Sequence, residues 1–100
     1  MKGSHKVSVI QGTYKMCYIT GRSDHIEKHH IYYGTKNRAV SDKYGFFVYL
    51  SPEFHRGTYG VHGKYGEELD LELKQECQRI FEADGHSREE FRELIGESYL

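Results

Sequence analysis

The run "FFVYLSPEFH", Phe46 to His55, constrains the fold of this chain more than any other stretch. Its first half is rich in aromatic and β-branched residues, which is typical of a short buried strand. Its second half begins with Ser51 at an N-cap position and Pro52, the sole proline, at the first helical position. A strand that leads directly into a helix predicts a domain in which both element types share one core.

The C-terminal third of the chain has a helical pattern. From Glu67 to Gly85, apolar residues recur at helical spacing, which predicts a long amphipathic helix that ends at the glycine. Those apolar residues are Leu69, Leu73, Cys77, Ile80 and Phe81. In "SREEFRELIGESYL", Ser87 and Glu90 stand in capping-box register, which predicts a last, shorter helix.

The N-terminal part contains β-rich runs and one polar segment. The runs "KMCYIT" and "HIEKHHIYY" are separated by the turn-like "GRSD", and this pattern predicts a hairpin. The segment Gly34 to Gly45 is polar and bounded by glycines, and we expect it to be a loop. The predicted order is strand, strand, loop, strand, short helix, loop, long helix, short helix, which describes a small α+β domain.

Length and composition limit the class of protein. One hundred residues fit one small domain, and 37% hydrophobic with 29% charged residues is neither membrane-spanning nor plainly disordered. Two cysteines, Cys17 and Cys77, are too few for a disulfide framework, and the N-terminus has no apolar export segment. We therefore expect no membrane association and a cytoplasmic location.

The net charge of −1 hides a strong asymmetry along the chain. Residues 1–66 carry ten Lys or Arg and four Asp or Glu, a balance of +6, whereas residues 67–100 carry four and eleven, a balance of −7. Such asymmetry indicates a surface on the N-terminal part that binds polyanions. The alternative is that glutamate is simply common in helices, so that the charge asymmetry does not indicate a binding surface.

Two adjacent histidines stand in the stretch "DHIEKHHIYYG". In a regular strand His29 and His30 point to opposite faces. Neutral imidazole is the commonest metal ligand and a natural proton acceptor near pH 7. His29, a helix that presents His55, and the nearby His62 could together hold a metal, which leaves His30 as a base. For any single histidine the alternative is a satisfied surface or core residue, and we adopt it for the remaining three, His5, His25 and His86.

The ordered set "HHI", a glycine-bounded loop, "FFVYL" and "SPEFH" resembles the HNH nuclease motif, also called ββα-metal. The wider run from "HHIYYG" to "LDLELKQECQRIFE" is similar to small HNH-type proteins common in prophages, and the similarity spans residues 17–100. The resemblance implies a single domain with three parts, which are an N-terminal arm (residues 1–10), a ββα-metal core (17–66) and an acidic helical extension (67–100).

The resemblance also implies a division of roles among the histidines. His29 and His55 take the metal-ligand positions, His30 is the general base, and His62 is an extra ligand or a phosphate contact. The implied activity is a metal-dependent DNA endonuclease or nickase in phage DNA processing or recombination, in the cytoplasm of a bacterial host or phage-infected cell. One divalent ion is expected. Mg, Mn, Ni and Zn all remain open, although imidazole ligands favour Ni or Zn over Mg.

The chain departs from the family pattern in two respects. The middle asparagine of the motif falls near Phe46, whose backbone carbonyl could still orient the base, and Asn37 is a poor substitute. Many relatives hold a structural zinc with paired cysteines, but here only Cys17 remains, so no structural zinc is expected and Cys17 is assigned to packing.

Basic residues flank the expected site and could neutralise DNA phosphates, although the alternative for each is a solvated surface charge. They are Lys36, Arg38, Lys43, Arg56 and Lys64. The departures from the pattern motivate an alternative function, a catalytically inactive HNH-fold domain that binds DNA or a protein partner as a phage-encoded regulator. The acidic C-terminal helices would be a surface for a protein partner. A purely structural zinc module is a third reading, weakened by the shortage of thiolates.

Overall fold

The computed structural model describes residues 7–100 as a small mixed α+β domain. Residues 1–6, including His5 and most of the expected N-terminal arm, lie outside the described residues. The elements in chain order are β1 (Glu27–His30), α1 (Thr35–Tyr44), β2 (Phe47–Leu50), α2 (Pro52–His55), α3 (Glu67–Ala83) and α4 (Arg88–Ile95).

The sheet of the described chain consists of β1 and β2, paired antiparallel. His29 lies opposite Val48, and His30 lies opposite Phe47. The predicted hairpin between "KMCYIT" and β1 is therefore wrong. Residues 18–20 of this run form a turn instead, and the N–H of Tyr18 donates to the carbonyl of Tyr49 at 2.8 Å.

The predicted loop between Gly34 and Gly45 is also wrong, because this segment forms helix α1. Gly34 is the N-cap residue, and Gly45 ends the helix in the left-handed conformation, at φ 81°, where glycine is favoured. The helix buries Ser41, whose hydroxyl donates to the carbonyl of Tyr32 at 2.7 Å. The face of α1 that packs against the domain is thus partly polar. The sequence of α1 therefore lacks the apolar stripe from which an amphipathic helix is predicted.

The strand–helix unit and the two C-terminal helices are confirmed. Ser51 has extended backbone at the N-cap of α2, although its hydroxyl makes no capping hydrogen bond, and Pro52 occupies the first turn. In α4 the Ser87 hydroxyl accepts from the N–H of Glu90, and the Glu90 carboxylate accepts from the N–H of Ser87.

The core lies between the sheet and helices α3 and α4. Its centre is Tyr32, whose ring contacts Phe46, Phe91 and Tyr99 and whose hydroxyl donates to the carbonyl of Lys74 at 2.6 Å. The other buried apolar residues of this cluster are Cys17, Ile31, Val48, Leu50, Val61, Leu73, Cys77, Phe81 and Ile95. The predicted packing role of Cys17 is therefore confirmed.

Candidate metal centre

Three histidines from three segments converge at one point. The centroid of the His29 ring lies 5.2 Å from that of His55 and 5.1 Å from that of His62, and the latter two are 5.1 Å apart. One ligand atom from each ring lies within 4.8 Å of the other two. The three imidazoles form a nearly equilateral triangle and could hold a metal ion.

Each histidine is positioned by its backbone. His29 lies on β1, and only 1% of its surface is exposed. His55 is the last residue of α2, which begins directly after β2. His62 is held next to His55 by two backbone hydrogen bonds. The N–H of His62 donates to the carbonyl of His55 at 3.2 Å, and the N–H of Val61 donates to the carbonyl of Phe54 at 2.9 Å.

Glycine makes this return of the chain sterically feasible. A Cβ atom at Gly60 would lie 2.6 Å from the carbonyl oxygen of Phe54, which is backbone and cannot move aside. The loop after α2 therefore passes close enough to the helix to place His62 next to His55 only with glycine at position 60.

The chemistry of the three rings fits a bound cation. Nε2 of His29 is buried and has no hydrogen-bond partner among residues 7–100. Buried polar atoms without a partner are rare in folded proteins, and a metal ion would satisfy this one. Burial, followed by the neighbouring His55 and His62, lowers the pKa of His29 to about 3. Burial also lowers the pKa of His62. Near pH 7 both rings are neutral, the state that binds metals.

Glu27 orients the His55 ring. Its Oε1 atom lies 2.8 Å from Nδ1 of His55, and this contact makes Nδ1 the donor and leaves Nε2 free for a metal. Glu27 also pairs with Arg56. Hydrogen bonds from Arg56 and then His55 lower the pKa of Glu27 to about 2. A carboxylate behind a ligating histidine is a common feature of metal sites, since it fixes the ring and raises its basicity.

Glu27 was not among the site residues predicted from the sequence, although a signal for it was present. Residues two apart on a strand share a face, so Glu27 lies on the same side of β1 as His29. A carboxylate two residues before a candidate ligand could therefore have been predicted to reach the site.

His30 lies on the other face of β1, as predicted from the alternation. Its Nε2 lies 3.3 Å from Oδ1 of Asp42 on α1, and the same oxygen lies 2.6 Å from Nζ of Lys28. The carbonyl of Phe46, which the sequence left as a possible partner for orienting the base, accepts from the N–H of Ile31 at 2.9 Å.

Both faces of β1 contribute to one cleft. It has a volume of about 260 Å³, and its lining residues are Lys28, His29, His30, Tyr33, Arg38, His55 and His62. The metal-ligand triangle and the candidate base thus border the same space. Asn37 does not line this cleft, since its amide donates to the carbonyl of Ile95 at 3.0 Å and holds α1 against α4.

The five basic residues predicted to contact DNA are dispersed. Arg38 is the one that lines the cleft. Arg56 is paired with Glu27, and Lys36 is exposed on α1. The ammonium of Lys43 lies 5.6 Å from the ring centroid of Tyr44, and that of Lys64 lies 5.2 Å from the ring centroid of Tyr65, in a different groove.

A second cluster supports the wall of the cleft. The hydroxyl of Tyr33 donates to Oδ2 of Asp70 at 3.0 Å, and Nζ of Lys74 lies 2.9 Å from the same carboxylate oxygen. The Tyr33 ring packs edge-on against His62, with centroids 5.2 Å apart. Helix α3 is thereby tied to the histidine triangle, a connection that the helical pattern alone did not indicate.

Comparisons of the chain with protein-family models, with curated proteins and with solved structures give no match. Among residues 7–100, no helix is both long and apolar enough to cross a membrane. Any assignment of function therefore depends on the geometry of the histidines and their neighbours.

Proposed function

We propose that this protein is a metal-dependent endonuclease or nickase of the HNH type, which hydrolyses phosphodiester bonds in DNA. The observation that carries the proposal is the arrangement of four histidines around one cleft. Three of them converge at one point, and the fourth, His30, borders the same cleft from the opposite face of β1.

The roles follow from this arrangement. His29, His55 and His62 would hold one divalent ion. Such an ion supplies Lewis-acid polarisation of the phosphate and stabilises the charge that develops on the leaving oxygen. Three imidazoles leave further coordination positions for substrate, as catalytic metal sites require. Zn and Ni suit imidazole ligands better than Mg and Mn do, because the latter two prefer oxygen ligands.

His30 would serve as the general base and accept a proton from the attacking water. It cannot do this and bind the metal through the same nitrogen, and its position on the other face of β1 separates the two tasks. Arg38 would contact the phosphate from α1, because its guanidinium can form two parallel hydrogen bonds to phosphate oxygens.

The test is plasmid nicking by purified protein at low salt with Mn²⁺, Ni²⁺, Zn²⁺ or Mg²⁺. We expect H30A to lower the nicking rate by roughly 10²–10⁴-fold while metal affinity is retained. His25→Asn is the matched control, because His25 is exposed and its φ of 50° is tolerated by asparagine. Its rate should equal that of the wild type. No cleavage with any of the four metals contradicts the proposal.

The acidic C-terminal extension favours a second candidate, a catalytically inactive domain that binds a protein partner. Its −7 balance gives helices α3 and α4 a surface that would repel DNA. This alternative would be supported if the protein binds a metal but does not cleave DNA, and if H30A binds the metal as the wild type does.

A further inference from the structure

Helix α1 presents a carboxylate to the candidate base. Oδ1 of Asp42 lies 3.3 Å from Nε2 of His30, at the long end of the hydrogen-bond range. The side chain of His30 is 16% exposed and that of Asp42 is 40% exposed, so the contact lies between β1 and α1 and is partly shielded from water. Asp42 does not line the cleft that His30 borders.

Lys28 fixes the position of this carboxylate. Its Nζ lies 2.6 Å from Oδ1 of Asp42 and 4.0 Å from the ring centroid of Phe47. Lys28 and His30 are two residues apart on β1 and therefore share a face. The ammonium thus holds Asp42 over the strand, beside the His30 ring.

A carboxylate next to one imidazole nitrogen determines which nitrogen carries the proton. An ionised carboxylate only accepts hydrogen bonds, so Nε2 of His30 must be the donor, and Nδ1 then carries the lone pair. The same carboxylate stabilises the imidazolium that forms when the ring takes up a second proton. Both effects prepare a ring for proton abstraction.

We propose that Asp42 is a positioning residue for His30, holding the ring with its Nε2–H toward α1 and its Nδ1 available to the cleft. This inference rests on the proposed nuclease function. The water O–H bond breaks as its proton moves to Nδ1, and the oxygen forms a bond to phosphorus while the bond to the leaving oxygen breaks. Solvent then protonates the leaving oxygen, and Asp42 stays ionised throughout.

The first test does not depend on activity. A ring N–H that is hydrogen-bonded exchanges slowly with water, so NMR of the metal-free, ¹⁵N-histidine-labelled protein should show one such proton on Nε2 of His30. The signal should disappear in D42A and persist in the control D24A, which removes an exposed carboxylate bonded to Arg22. A signal unchanged in D42A overturns the proposal.

The second test uses nicking kinetics. D42A should lower kcat by roughly 10–100-fold, with KM for DNA and Kd for Mn²⁺ within about twofold of wild type, and D42E should recover part of the loss. Because Asp42 acts through His30, the double variant H30A/D42A should be no slower than H30A alone. Losses that multiply in the double variant, or full activity of D42A, contradict the proposal.

These outcomes separate the two claims. Wild-type protein that does not nick DNA overturns the proposed function, and the ring N–H then decides the Asp42–His30 pairing by itself. If D42A fails to fold, D42L takes its place, because it keeps a side chain of similar size and removes the oxygen that accepts from the Nε2–H of His30. Normal kcat in folded D42L would then overturn the proposal.

Discussion

Glu27 and His55 form a carboxylate–imidazole pair across two elements, with Oε1 of Glu27 2.8 Å from Nδ1 of His55. This contact connects β1 to the end of α2 and directs the remaining nitrogen of His55 away from the carboxylate. Arg56, the next residue after His55, donates to both oxygens of the same carboxylate. The ring orientation required for metal binding is therefore set before any ion arrives.

Replacing Glu27 with glutamine should weaken metal binding without removing a ligand. The amide is uncharged and no longer raises the basicity of His55, so we expect E27Q to raise Kd for Zn²⁺ or Ni²⁺ by about 10–100-fold. Isothermal titration calorimetry measures this directly. Glu53→Gln is the matched control, since Glu53 is an exposed residue of α2, and its Kd should match that of wild type. If the two variants bind the metal with equal affinity, Glu27 has no role in the metal site.

Substitutions of Arg38 and Lys36 test whether DNA is bound in the cleft or is only attracted by the general positive charge of α1. Arg38 lines the cleft, and Lys36 is exposed on the same helix. Loss of a charge-assisted contact in R38A should lower kcat/KM for nicking by roughly 10-fold or more. K36A should remain within about twofold at the same ionic strength. Similar losses in both variants would indicate only diffuse electrostatic attraction.

Gly60 should be indispensable for the position of His62. In G60A the new methyl group would meet the Phe54 carbonyl oxygen at 2.6 Å, and the loop must move away from α2. We expect the free energy of unfolding to fall by about 1–3 kcal/mol and metal affinity to fall with it. Thr58→Ala, an exposed change in the same loop, serves as control in both the denaturation and the metal titration. Unaltered metal affinity in G60A would contradict this role.

The metal-free protein should lose stability as the pH falls. His29 has a pKa of about 3 when folded, against an ordinary value of 6.5, because burial disfavours its charged form. The unfolded chain therefore binds a proton that the folded chain does not. Stability is complete above about pH 6.5 and declines as the pH falls toward 3, with a total effect on the order of a few kcal/mol.

Urea denaturation in the presence of a chelator at pH 7.5 and pH 5 measures this effect. H29L, which has no titrating group at this position, should show a smaller difference between the two pH values than the wild type does. The carboxylates and the other histidines are present in both proteins, so the difference between the two pH profiles measures the contribution of His29. Parallel pH profiles of H29L and wild type would mean that His29 is not buried in the neutral form.

The parts of the fold that were predicted from the sequence are those with strong local signals. Pro52 after a buried aromatic strand, the capping box of Ser87 and Glu90, and the apolar stripe that includes Leu73 each act over a few residues. Helix α1 was missed because the side chain that it buries is Ser41, which is held by hydrogen bonds to Tyr32. That contact depends on tertiary structure and leaves no hydrophobic periodicity in the sequence.

The candidate site shows the same difference between local sequence signals and contacts that depend on tertiary structure. His29 and His55 were predicted as ligands because the order of the histidines, strand and helix resembles the HNH motif, and the structure places these two rings with His62 close enough to hold a metal ion. Asp42 could not be predicted as a neighbour of His30, because it lies on a helix that was taken for a loop. Helix α1 and β1 come together only in the folded domain.

A crystal structure of the protein with Mn²⁺, using anomalous scattering to locate the ion, tests the central claim most directly. We expect a single ion per domain, bound by one nitrogen each of His29, His55 and His62, with His30 unbound on the other side of β1. An ion bound elsewhere, coordination through His30, or no bound ion at saturating Mn²⁺ would contradict the metal centre and, with it, the proposed nuclease.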